Sequence, residues 1–260
     1  VEPGSHLRPP GNVDGLSSQG EELVSEEAYR NFVLCLQPWE NAQNQHCAVE
    51  PAAASQIPSH QDAGAFTMIY FARFHPVYPF LRKGAFLFGG ETGWILLLAV
   101  MTVGAKYAHD SPTNRQHRDT LFGLLRAVLS HHLHPSPQAV GDSLWAPEPS
   151  GDEGTSRLDL PIIQAAVLSQ LCMLHSGNGA LLRRASLERL YLVDACNNMG
   201  LLSAADTTIS VDICDKPTAE QWLESQSRIR TGMMIWVYAQ LPQAALEGQL
   251  TRNTDAGLHI

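Results

Sequence analysis

Between Trp94 and Ala105, twelve consecutive residues, WILLLAVMTVGA, carry no charge. The run falls well short of the roughly 20 apolar residues that span a bilayer. A segment apolar nearly all round is instead a helix buried on most sides, which belongs in the middle of an α-domain. The run therefore predicts a buried helix from Trp94 to about His109, with the rest of the chain wrapped around it.

The stretch that leads into it, YFARFHPVYPFLRKGAF from Tyr70 to Phe86, crowds aromatic rings around His75, Pro76 and Pro79. Asp62 is placed to cap a helix with Phe66, Ile69, Tyr70 and Phe74 on one face. Pro76 and Pro79 stop that helix, because proline lacks the amide donor and its ring crowds the preceding turn. The aromatics are expected to fill the junction between two packed helices.

Periodicity organises the remainder. Val24, Ala28, Phe32 and Leu36 recur every four residues behind Glu21 and Glu22, which predicts a short helix over 20–36. Residues 37–60 read as a polar linker. Leu121, Leu124, Leu125 and Val128 mark a helix over 114–132, followed by a long loop. Asp159 caps a helix with Pro161 in its first turn, running through Met173. A further helix over 180–199 ends at Gly200. Thr218 and Gln221 have capping-box spacing ahead of a last helix, on which Trp222, Ile229, Met233 and Trp236 line one face. Only TTISVDIC looks extended, too isolated to found a sheet. The expected fold is all-α, a multi-helix domain with long loops. Residues 1–19, rich in Pro, Gly and Ser, form a disordered segment; 20–61 hold the short helix and linker; 62–241 form the main domain; 242–260 form a polar tail.

Seventeen Lys and Arg against 26 Asp and Glu give a net charge of −9, the wrong sign for an electrostatic grip on phosphates. Five cysteines without a Cys-x-x-Cys pair read as reduced intracellular thiols. The chain lacks both a secretory leader and an initiator methionine and is expected to be a piece of a longer product.

Each candidate for chemistry has a plainer competitor. His131 and His134 of HHLH stand one turn apart as zinc ligands would, but they need further ligands from elsewhere, and histidines are also welcome at a helix C-terminus. GGETG precedes a helix as phosphate loops do, yet lacks their lysine and hydroxyl. LHSGN around Ser176 has no strand-turn-helix frame to make a nucleophile. Asp152 and Glu153 lie in a polar loop, where solvated charges are the default. Arg183, Arg184 and Arg189 form a strip that reads as a solvated face or a phosphate site. No residue is assigned a catalytic, cofactor-binding or metal-binding role.

The order of the pieces resembles the fungal-specific transcription factor domain, the middle homology region of fungal zinc-cluster and zinc-finger regulators. The resemblance rests on Phe74, His75, Pro76, Pro79, Phe80 and Leu81, then on Leu96 to Tyr107. LPIIQAAVLSQLCMLHSGN, LERLYLVDACNNMGLL and WLESQSRIRTGMMIWVYAQL extend it over about 62–241. The last helix departs from the family, with WVYAQLPQAAL where a Leu-Asp pair and a Gly-Arg-Pro loop are usual. The resemblance implies a nuclear, non-enzymatic regulator of RNA polymerase II transcription. It further implies DNA binding through zinc modules upstream of this chain, contacts with the transcription machinery or regulatory proteins, a possible small-molecule effector, no cofactor in the chain itself and no membrane. The competing expectations are a helical metal-dependent enzyme and a small-molecule-binding domain.

Overall fold

The computed structural model describes residues 23–46, 57–83, 88, 90–133, 159–202 and 219–240. Within them the chain is all-α. Seven α-helices follow in order: α1 (Glu26–His46), α2 (His60–Ile69), α3 (Gly93–Tyr107), α4 (Pro112–Leu133), α5 (Leu160–Leu174), α6 (Gly179–Asn198) and α7 (Ala219–Ala239). A π-helical turn, Tyr70–Phe74, extends α2. No helix among the described residues is long and apolar enough to cross a membrane.

The apolar run takes the central position its composition requires. Every residue of α3 from Gly93 to Ala105 is buried, because α1, α2, α4 and α5 all pack around it. Its one hydroxyl in the middle, on Thr102, donates to the Leu98 carbonyl at 2.7 Å. α5 is a second hub, packed against α3, α4, α6 and α7. Gln164 of α5 donates to Ser227 and Thr231 of α7 at 3.0 and 3.1 Å, so polar groups are matched where the two helices meet.

Two helix starts differ from expectation. α1 begins later than residue 20 and continues through Pro38 to His46 instead of giving way to a linker at 37. Pro38 removes one ladder hydrogen bond, but it lies on the exposed side of the helix. Beyond it Trp39 is buried in the same core as Val24, Phe32 and Leu36, and its ring meets His131 of α4 at 5.4 Å. That burial carries the helix past the proline. The cap of α2 is Ser59 and not Asp62, which sits at the third helical position. The Ser59 hydroxyl accepts from the Asp62 amide and donates to the Asp62 carboxylate, a reciprocal cap.

The proline turn follows a device that periodicity does not reveal. The His75 amide donates to the Tyr70 carbonyl five residues back, at 3.0 Å, and this wider turn leaves both Tyr70 and Phe74 inside the core. Pro76 and Pro79 lie outside it, while Phe80 and Leu81 return to it. α6 ends as expected: Gly200 has φ +71, its amide donates to Asn197, and the Leu201 amide donates to Cys196, which satisfies the last carbonyls. Residues 1–22, the long loop after α4, Thr218, TTISVDIC and the tail from residue 241 lie outside the described residues.

Candidate interaction surfaces

The aromatic junction is closed by polar contacts. Tyr78 Oη and His175 Nε2 are 3.2 Å apart, which ties the turn after α2 to the end of α5. Lys106 of α3 donates to the His175 and Cys172 carbonyls at 2.7 and 3.4 Å, a cation on the negative end of α5. Burial lowers the pKa of Lys106 and of His175 and pushes the Cys172 thiol up to about 11. A thiol held protonated is a packing group and not a nucleophile.

Among the described residues the sequence candidates do not converge. His131 stacks edge-on against His132 at 5.5 Å as well as against Trp39, and burial followed by the His131 charge lowers the pKa of His132. His134, Asp152 and Glu153 lie outside the described residues. Among the described residues no group of three or more His, Cys, Asp or Glu is placed to hold a metal ion. Ser176 is engaged in a turn, its hydroxyl donating to the Met173 carbonyl at 2.7 Å and accepting from the Asn178 amide. Of the GGETG glycines, Gly90 lies in a turn with φ +80 and Gly93 is the first residue of α3, abutting the Phe88 carbonyl, while Gly89 lies outside the described residues.

The arginine strip has more organisation than its spacing suggests. Arg184 pairs with Glu188 one turn on. The other Glu188 oxygen accepts from Gln170 Nε2 at 3.1 Å, and Gln170 Oε1 accepts from Tyr238 Oη at 2.8 Å. One chain of bonds thus links α6, α5 and α7. Beside it a cleft of about 20 Å³, room for one or two waters, opens between α4, α5 and α6 over Arg126, Ser130, Ser169, Gln170 and Glu188. Arg126 is half-buried there, with its guanidinium 5.9 Å from the Phe122 ring. Desolvation first, and the nearby Arg184 charge second, lower its pKa, while Glu188 acts in the opposite sense. The sequence offered no signal for Arg126, because it belongs to the site only through α4 lying across α5.

Two outward faces are apolar. On α7, Trp222, Met233 and Trp236 are 49%, 63% and 59% exposed. Three of the four residues predicted to line one face of this helix thus point away from the core and the fourth, Ile229, is half-buried, while Thr231, Ile235 and Tyr238 form its buried side. On α6, Leu187 and Leu190 are each 67% exposed, with Tyr191 beside them. A shallow groove runs past Ala180, Arg183, Leu187 and Tyr191.

In comparison with known proteins, the chain is similar to a protein of Gibberella fujikuroi named "Transcription factor", 24% identical over 221 residues. The match covers 82% of this chain and 25% of the relative, so the chain spans about a quarter of the length of the curated relative it matches. No family model matches the chain. No solved structure matches it.

Proposed function

We propose that this chain is the regulatory part of a fungal transcription factor that acts in the nucleus through contacts with other proteins. The name of the Gibberella relative supports the transcriptional role. The observation that carries contact as the mode of action is the outward row of Trp222, Met233 and Trp236. Large apolar side chains, tryptophan and methionine above all, exposed along one side of a helix are enriched at protein-binding surfaces. DNA binding belongs in this reading to zinc modules elsewhere in a longer product, which would control RNA polymerase II transcription.

The test is to tether the 260-residue chain to an unrelated DNA-binding module upstream of a reporter. A change in transcription, lost when Trp222, Met233 and Trp236 are replaced together by polar residues that leave the helical signal intact, is the expected result. An inert tethered chain, or one indifferent to those replacements, overturns the proposal. The isolated chain should show no sequence-specific shift of duplex DNA, given its charge of −9, and a zinc chelator should leave its circular dichroism unchanged.

A further inference from the structure

The outward face of α6 differs from that of α7 in one respect: its apolar residues are interleaved with arginine. Arg183, Leu187, Leu190 and Tyr191 follow at helical spacing on one exposed side. Within α6 three arginines face two carboxylates, Glu188 and Asp194, in a chain whose net charge is −9. Glu188 is already engaged by Arg184 and Gln170. Among the described residues Arg183 forms no ion pair, and neither does Arg126, which flanks the row from α4. The Arg126 guanidinium is partly desolvated, rests on Phe122, and has only Glu188, which already pairs with Arg184, as a nearby carboxylate. One carboxylate shared between Arg184 and Arg126 leaves the half-buried Arg126 under-compensated, and Arg183 is exposed beside it, so a partner that supplies carboxylates would add the missing counter-charge.

We infer that the outward face of α6, with Arg126 at its flank, is a docking site for an acidic amphipathic protein segment. Its carboxylates meet Arg183 and Arg126, and its apolar side chains cover Leu187, Leu190 and Tyr191. The mixture of groups selects this occupant. Duplex DNA would satisfy the arginines but leave the leucines against a phosphate backbone, and the overall negative charge of the chain repels it. An uncharged apolar helix would cover the leucines and strand the arginines. The inference rests on the reading of the chain as a regulator that works by contact.

A labelled synthetic helix of about five turns, with leucine and phenylalanine along one side and aspartate and glutamate on the other, serves as the probe. Its fluorescence anisotropy is titrated with the full 260-residue chain. Binding that weakens with salt is expected, and Arg183→Glu or Leu187→Ser should each weaken it about fivefold or more. Arg30→Glu, on the exposed side of α1, should leave it unchanged. Both α6 positions are exposed, so circular dichroism of the variants should match the parent. The inference is overturned by no binding, by equal binding of a probe with lysine for its acids, by binding indifferent to both α6 variants, or by full displacement with duplex DNA. If the probe fails while the tethered chain still changes transcription, only this docking site falls. If the tethered chain is inert, the regulatory reading falls with it.

Discussion

Replacing Gly104 by alanine sets two effects of opposite sign against each other. In a helix interior the change ordinarily stabilises by about 1 kcal/mol, since alanine has less backbone freedom to lose. In α3, however, the added methyl would overlap the carbonyl oxygen and carbon of Phe66. That carbonyl cannot swing aside, because it accepts the Tyr70 amide within the ladder of α2. Relief requires α2 to move as a body, and α2 is anchored by Phe66 and Tyr70 in the core. Overpacking of this kind costs about 1–3 kcal/mol and occasionally more, and contact with backbone belongs at the upper end. The net effect is a loss of about 1–2 kcal/mol, or a fall in Tm of about 2–8 °C at roughly 2–4 °C per kcal/mol. Gly64→Ala on α2 is the control, since nothing lies within 4 Å of its added methyl, and it should be neutral or stabilise by up to about 1 kcal/mol. Urea unfolding followed at 222 nm measures both. A Gly104→Ala protein as stable as the parent would refute backbone contact between α2 and α3.

Phe74→Ala or Phe80→Ala should each destabilise by about 3–5 kcal/mol, since both rings are buried; near-parental urea midpoints would place them on an open pocket instead. Tyr238→Phe should cost about 1–3 kcal/mol in the same assay, because it strands the buried Gln170 oxygen. His75, His132 and His175 all have lowered pKa values, chiefly through burial. Their neutral forms are therefore favoured in the fold, so their contribution is complete above the unfolded value of about 6.5 and declines as pH falls below it. Urea midpoints should drop between pH 7.5 and 5.5, and less so for His132→Gln. Cys172 and Cys196, buried with thiols pushed up to about 11 and about 12, should resist alkylation in the native protein and react after unfolding, as read by peptide mass.

Much of the fold is a local matter and was legible in the chain. An uncharged run such as Trp94–Ala105 is stable only where no water reaches it, so its central place follows from composition alone. The stop at Gly200 follows from the left-handed conformation that glycine adopts without steric cost. What needed the tertiary structure is whatever depends on a neighbour distant in sequence. Pro38 reads as a helix breaker until the burial of Trp39 against α4 outweighs one missing hydrogen bond. The apolar row Trp222, Met233 and Trp236 shows a periodicity but not a direction. Gln164, reaching Thr231 from 67 residues away, helps turn the other side of α7 inward. The setting of Arg126 is the clearest case: its charge is written in the sequence, but its loss of water and its nearness to Arg184 and Glu188 arise only where α4 and α6 lie across α5, because desolvation is a property of the surroundings and not of the residue.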